Sequence, residues 1–323
     1  MLSRHAHNPS AFLALNTTTR HFSPVGFDGV IAYRPSGRRH FVQLGGVFAD
    51  PAEQAALLAA FRRYARAQRR RVMAVQLLPD DARMYAAAGF TVNQFGADYA
   101  RRLDTFSLAG KKYVQLRNKV SRAGRAGVTV AEPAVEARQG SLDEQLCALD
   151  TAWLRSKGRH VKELAFMVGE RGGNADFRRR LFVATGPDGD PLAYVSFSPV
   201  YGRHAGWLHD LSRRRPDAPP GSLELIVTTA VQTFRTEGAP YLHFGFTPFT
   251  SLADEHEQPG RSGIAARIIR LLADKGSSIY PAADQLAYKL KWGPDLIQPE
   301  YVAFEGGISP RAVLSLLRVT NVA

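Results

Sequence analysis

The sequence predicts an α/β protein made of two mixed halves that share one order of elements. Three observations predict it. The chain has 323 residues, more than one core comfortably fills and suited to two domains. Strand-length apolar runs alternate with segments of helical period in both halves. A strongly cationic segment and the Ala/Glu/Gly-rich AEPAVEARQGS (131–141) separate the halves. The expected organisation is a loosely ordered N-terminal segment (1–24), a first domain (25–107), a basic connecting helix (108–130) and a second domain (131–323).

The elements follow in order. GVIAYRP (29–35) and FVQLGGVF (41–48) read as strands around the turn PSGRR. Asp50, Pro51 and Glu53 form a helix start: an N-cap, a proline in the first turn and an acid close behind. That helix carries Leu57, Leu58, Phe61 and Tyr64 on one face. Its other face and its end carry Arg62, Arg63, Arg66, Arg69, Arg70 and Arg71. VMAVQLL (72–78) is a buried strand, and DDARMYAAAGF (80–90) a short helix stopped at Gly89. In the second half a helix spans 142–157, with strands at 181–186, 191–201 and 206–213. SLELIVTTAVQTFRTEG is a helix closed by Gly238, and 241–248 a strand. A helix covers 261–275, QLAYKLKWGP (285–294) reads as a strand, and SPRAVLSLLRV is a terminal helix. The two halves show no identity by eye, so the repeat rests on element order alone.

Hydrophobic residues make up 45% of the chain, enough for ordinary cores. The charge is unusual: 42 Lys+Arg against 29 Asp+Glu, a net of +13. Such an excess favours a polyanion partner, a nucleic acid or an anionic membrane face. Cys147 is the one cysteine, so no disulfide within the chain and no cysteine zinc site can form. This fits a reducing, cytoplasmic setting. The N-terminus has only the short apolar piece AFLAL, not the core of a signal peptide, and no run approaches a membrane span. Any membrane contact is therefore expected to be peripheral, at the inner face of the cell membrane.

The connector holds Lys111, Lys112, Arg117, Lys119, Arg122 and Arg125, while Tyr113, Leu116 and Val120 recur at helical spacing. An amphipathic helix with a cationic polar side suits phosphate binding, giving affinity with little sequence reading. Several chemistries lack their motifs. No GxxxxGK[ST], HExxH or GxSxG occurs, and no metal is expected. A coenzyme A pyrophosphate loop, [QR]-x-x-G-x-[GA], finds only RSKGRH (155–160) and RTEGAP (235–240). Both fail at the last position, and the second lies at a helix C-terminus, the wrong pole for an anion. No coenzyme A use is expected.

One turn gathers charge. WLHDLSRRRPDAPPGSLELIV (207–227) places Asp210 and Arg213 at a strand end and Glu224 in the first turn of the next helix. YKLKW supplies Lys289 and Lys291, on one face if it is a strand. Taken singly, each has a plain structural reading: a surface ion pair, a helix-dipole acid, a lysine-protected edge strand.

FSLAGKKYVQLRNKVSRAGRAGV, Trp153 with ELAFMVGE, HDLSRRRPDAPPGSLELI, HFGFTPF and YKLKWGPDLIQPEYVAF run in an order that resembles the catalytic domain of the multiple peptide resistance factor family. These are the aminoacyl-phosphatidylglycerol synthases, and the likeness is to a freestanding form of that domain. It extends over roughly 25–305, with GVIAYR and FVQLGGVFADP at its start. It implies tandem acetyltransferase-like domains joined by a long basic helix, the second domain being catalytic. It implies transfer of an amino acid, typically lysine or alanine, from aminoacyl-tRNA to a phosphatidylglycerol hydroxyl. Aminoacyl-tRNA is then co-substrate, and the anionic membrane surface a partner. By resemblance Asp210 and Arg213 match the family's essential pair, Glu224 an acidic position, and Lys289 and Lys291 the basic pair before W-x-P. The reading sets Asp210 and Glu224 around the amino acid, with the cations on phosphates or the oxyanion. Phe244 and Phe246 are candidate pocket-lining residues. Two alternatives stand: the same donor with a soluble or sterol-like acceptor, and a binding module for nucleic acid or membrane without catalysis. The amino acid, the general base and the oligomeric state are not legible in the sequence.

Overall fold

Twelve strands form one continuous sheet in a computed structural model that describes residues 1–158, 165–275 and 282–321. The first half contributes β1 (Arg20–Phe22), β2 (Gly29–Ser36), β3 (His40–Leu44), β4 (Phe48–Ala49), β5 (Arg71–Leu77) and β6 (Phe90–Arg102). The second contributes β7 (Thr129–Ala131), β8 (Arg180–Thr185), β9 (Pro191–Val200), β10 (Gly206–Arg214), β11 (Tyr241–Pro248) and β12 (Leu296–Glu305). The helices are α1 (Leu2–His5), α2 (Pro51–Ala67), α3 (Pro79–Ala87), α4 (Val114–Arg125), α5 (Ser141–Ser156), α6 (Ser222–Thr236), α7 (Gly263–Lys275), α8 (Ala282–Leu290) and α9 (Pro310–Val319).

The sheet order is β1-β2-β3-β5-β12-β6-β11-β10-β9-β8-β7, with β4 paired to β2. Two neighbouring pairs are parallel, β3 with β5 and β10 with β11. Parallel neighbours need a crossover, and α2 and α6 supply one each. These two units are the structural trace of the repeated element order. The expected α/β class is observed.

Three expectations are corrected. First, residues 1–24 are not loose. Pro9–Leu15 forms a 3-10 helix whose Phe12, Leu13 and Ala14 are buried. Asn8 caps it by accepting from the Ser10 N–H at 2.8 Å. A single 3-10 segment is too short to show helical periodicity, yet AFLAL packs with Val42, Leu44, Val75 and Phe304. Second, the halves are not separate in the sheet. β12, from the end of the chain, lies between β5 and β6. Third, QLAYKLKWGP is not a strand. Ala282–Leu290 is helical, and a turn follows in which the Trp292 N–H donates to the Lys289 carbonyl and Gly293 takes φ 64°. The polar–apolar alternation of LAYKLKW imitated a strand. Trp292, wholly buried, holds the turn against the core of the second half.

The connector is α-helical over Val114–Arg125, shorter than the 108–130 expected, and residues 129–131 belong to β7 instead. Tyr113, Leu116 and Ala123 are buried, Val120 packs beside them, and α4 lies along α6. One face of the second-half sheet carries the core shared with α4 and α6. The other packs Leu146 and Leu149 of α5 against Leu181, Tyr194 and Leu211.

Candidate functional site

Strand β10 carries a bulge at Asp210: His209 pairs with Phe197, but Leu211 pairs with Ser196. One residue is extra, and alternation is interrupted there. His209 therefore faces the α6 side, its ring 5.6 Å from Phe197 and 5.8 Å from Tyr288. Burial, with Lys289 and Lys291 nearby, lowers His209 to about 3, so its ring is neutral at pH 7.

Asp210 faces the other side, its side chain fully buried. Arg179 Nε donates to its Oδ2 at 3.1 Å, and Arg179 Nη2 donates to Asn16 Oδ1 at 2.8 Å. Gly169 lies directly on the carboxylate: a Cβ there would come 2.6 Å from Asp210 Cγ. Burial raises the Asp210 carboxyl, against the pull of Arg179. Arg213 stands over the Trp153 ring at 4.0 Å, its Nε 4.0 Å from Asp150 Oδ1. Asp150 also accepts from the Tyr194 hydroxyl and Arg171. Asp210 and Arg213 thus lie on one side of the sheet with separate partners. Among the described residues no ion pair joins them.

The second cluster forms on the α6 side. Gly221, at φ 99°, begins α6, and a Cβ there would lie 2.0 Å from the Lys119 carbonyl oxygen. Only glycine lets α4 approach so closely. Glu224 follows in the first turn, 8% exposed. Its Oε1 accepts from Lys291 Nζ at 2.8 Å and Lys119 Nζ at 3.2 Å. Burial would raise the Glu224 carboxyl, but Lys291 and Lys119 outweigh it and the net shift is downward. Lys291 is lowered by burial against the field of Glu224, and its ammonium lies 3.7 Å over the Tyr288 ring.

Lys289, two residues before Lys291, points elsewhere. Its Nζ donates to the carbonyls of Gly245 at 2.5 Å and Phe246 at 2.9 Å, in the irregular part of β11. Burial lowers it to about 7, opposed by Asp98 and Glu300. Glu300 is buried with neither carboxylate oxygen hydrogen-bonded among the described residues, and burial raises it well above the usual range. Asp98 Oδ2 lies 2.9 Å from His243 Nδ1.

The register pairs joining β10 to β11 end at Leu208 and His243. Beyond them β10 stays with β9 and β11 with β6, so the two strands part between the clusters. Phe244 is buried there, stacked on Trp292 at 5.7 Å, and belongs to the core. Phe246 is half-buried and stacked on Phe95.

Of the six connector cations, Lys119 reaches the site directly. Arg122 and Arg125 continue an exposed stripe at intervals of three along α4. Lys111 and Lys112 are exposed near its start, Lys112 over the Tyr113 ring. Arg117 turns back to the carbonyls of Leu108 and Gly110. The structure therefore unites Glu224, Lys291 and Lys119. It sets Asp210 and Arg213 across the sheet from them. Sequence reasoning missed Arg179, His209, Tyr288 and the Asp98–His243–Glu300 group. Single acids inside apolar strands, FGADYA and IQPEYVAF, were the available signal. Among the described residues no group of His, Cys, Asp or Glu could hold a metal ion, and no helix is long and apolar enough to cross a membrane.

The fold and site define a mixed α/β protein with two crossover units in one sheet, a charged centre at the second crossover helix and a basic helix abutting it. The chain belongs to the family described as phosphatidylglycerol lysyltransferase, C-terminal, whose profile matches residues 1–304. The lysylphosphatidylglycerol biosynthesis bifunctional protein LysX of Mycobacterium avium (strain 104) is 29% identical over 224 residues, 69% of this chain and 18% of that protein. The protein of the same name from Rhodococcus jostii (strain RHA1) is 28% identical over 227 residues, 69% of this chain and 20% of its own. The chain thus spans about a fifth of these relatives' length. Among solved structures, the C-terminal domain of a putative lysylphosphatidylglycerol synthetase from Agrobacterium fabrum superposes with TM-score 0.78 at 22% identity, covering 99% of this chain and 93% of that one. L-PGS from Bacillus licheniformis gives 0.77 at 20%, covering 99% and 94%. These two likenesses are of fold.

Proposed function

We propose that the chain transfers an amino acid, lysine or alanine, from aminoacyl-tRNA to a hydroxyl of phosphatidylglycerol or a related anionic lipid. Family membership supports the lipid acceptor: the relatives' names are those of lysylphosphatidylglycerol synthesis. The observation that carries the donor is Glu224, a carboxylate held between Lys119 of the basic helix and Lys291.

In the reaction the lipid hydroxyl oxygen attacks the ester carbonyl carbon. The bond from that carbon to the tRNA ribose oxygen breaks, and the hydroxyl proton ends on the ribose oxygen. Glu224, kept anionic, orients the donor's α-ammonium. Lys119, Lys291 and the α6 N-terminus offer positive potential to a phosphate or the developing oxyanion. Arg122 and Arg125 extend that potential along α4 for the RNA backbone. Asp210 acts from behind, fixing Arg179 and the segment at Gly169. No step needs a metal or coenzyme A. The protein works at the cytoplasmic face of a membrane, as a peripheral enzyme.

The test uses the purified protein, total tRNA charged with labelled amino acids, and phosphatidylglycerol vesicles, with and without RNase. RNase-sensitive label in the lipid phase is expected, and hydrolysis names the amino acid. Label lost from tRNA but kept in water would replace the lipid by a soluble acceptor. No loss from tRNA would defeat the transferase reading.

A further inference from the structure

The arginines at the end of α2 have no part in the site above. Arg63, Arg66 and Arg69 are exposed on the last turns of the helix and just beyond it. Arg71 opens β5 opposite His40, and its N–H donates to the Arg39 carbonyl, which brings the exposed β2–β3 turn with Arg38 and Arg39 alongside. Arg70 closes the gap by donating to the carbonyls of Gly37 and His40. The acid found here is Glu305, which is occupied by Arg62 and Arg66. Among the described residues no ion pair involves Arg38, Arg39, Arg63, Arg69 or Arg71. Burial, then the fields of Arg71, Arg39 and Arg70, lower the neighbouring His40.

Position relates this patch to the site. Pro248 at the end of β11 pairs with Gly96, Gly96 with Glu300, and the next residue, Tyr301, with Leu77. The ends of β11 and β10, from which the chain leads into α6, therefore lie level with the end of β5, and Arg71 at its start lies six residues further along the same direction. Five strand steps across the sheet separate β3 from β10, roughly 24 Å at about 4.8 Å each, and the six residues along β5 add roughly 20 Å at right angles, so the patch lies on the order of 30 Å from the start of α6. A single-sign patch at that distance matches a long polyphosphate better than a small ligand. Guanidinium groups without carboxylates suit phosphate oxygens, and an array of them gives affinity without base reading.

We infer that the arginine patch formed by the β2–β3 turn and the end of α2 is a second docking surface for the sugar–phosphate backbone of a structured RNA, contacting the body of a tRNA whose 3′ end lies at Glu224. The inference rests on the aminoacyl-tRNA reading above.

The test compares the wild-type chain with the combined variant Arg38→Gln, Arg39→Gln, Arg63→Gln, Arg69→Asn. Asparagine is chosen at 69 because the backbone there is left-handed, at φ 57°. Binding of total tRNA and of an acceptor-stem minihelix is followed by fluorescence anisotropy over a salt series, with circular dichroism confirming the fold. Each lost phosphate contact reduces the slope of log K against log salt by roughly 0.7–0.9, so four should reduce it by about 3. At about 0.15 M salt, tRNA binding should weaken at least about tenfold. The minihelix, too short to reach the patch, should bind both proteins alike. Unchanged tRNA affinity and slope in the variant would overturn the inference and leave the donor reading intact. So would an equal loss on the minihelix, or loss of binding to phosphatidylglycerol vesicles with tRNA binding retained. A wild-type chain that binds no tRNA would defeat the donor reading, and this inference with it.

Discussion

Replacing Lys289 by methionine tests the electrostatics of the centre directly. Lys289 is 6% exposed, and burial lowers its ammonium from 10.5 to about 7. Between those values the unfolded chain holds a proton that the native protein does not. Native stability must then rise with pH, by about 1.4 kcal/mol per pH unit from this group. The penalty of the buried charge is full below about 7 and gone above the unfolded value. Methionine of similar length removes that dependence. The group is half deprotonated at pH 7 already, so the stability difference, wild type minus Lys289→Met, should climb by about 2 kcal/mol between pH 7 and pH 9. The loss of a donor to the Gly245 and Phe246 carbonyls offsets the curve by a constant and leaves its slope. Glu300 reinforces the sign. Without Lys289 its carboxyl moves further up, and the variant loses stability with rising pH over a wider range. Urea unfolding of both proteins at half-unit pH steps measures the difference. A difference that is flat or falling from pH 7 to 9 would refute a buried, destabilised ammonium at this position.

Four further outcomes follow from the same geometry. Glu224→Gln should lower tRNA-dependent transfer at least about 100-fold while costing only about 1–3 kcal/mol, because Lys291 keeps part of its solvent contact; turnover and thermal unfolding read the two effects apart. Gly221→Ala should cost more than about 3 kcal/mol in urea unfolding, since its Cβ meets the Lys119 carbonyl. By contrast Gly124→Ala in α4, where a Cβ meets nothing, should stabilise by about 0.5–1 kcal/mol. Asp210→Asn should cost about 3–5 kcal/mol by leaving Arg179 buried without a counter-charge, and the double variant Asp210→Leu, Arg179→Met should recover most of it in the same measurement.

Much of the fold was legible because its signals are local. The Asp50–Pro51 start of α2, the stripe of Tyr113, Leu116 and Val120, and the stop at Gly238 all act within a few residues. What was not legible depends on distance along the chain. The segment Pro9–Leu15 is ordered by side chains as remote as Phe304, and nothing in AFLAL announces them. The placing of β12 between β5 and β6 is likewise a pairing over some two hundred residues. At the site, charge at Glu224, Lys119 and Lys291 could be noticed separately, but their convergence needs the close passage of α4 at Gly221. Lys289 and Lys291 could be named and still be misplaced. In a strand they would share one face; on the last turn of α8 and the turn beyond it, their ammonium groups diverge to β11 and to Glu224.

The D-x-x-R of β10 makes the same point through geometry. Residues three apart on a regular strand lie on opposite faces. Without the bulge, Asp210 would project where Phe197, Phe234 and Phe244 form the apolar core, at the full desolvation cost of a carboxylate. Inserting one residue returns Asp210 to the side of Arg213, where Arg179 is buried to meet it. The same insertion leaves His209 facing Tyr288 and the lysines. A single bulge thus sorts the polar demands of His209, Asp210 and Arg213. It supplies a neutral imidazole to the face that carries Glu224, and a buried carboxylate and a stacked guanidinium to the face that carries α5. The spacing in the sequence is therefore evidence for the bulge itself: two charged residues that both need the polar side of one strand, at an odd interval, require an irregularity between them.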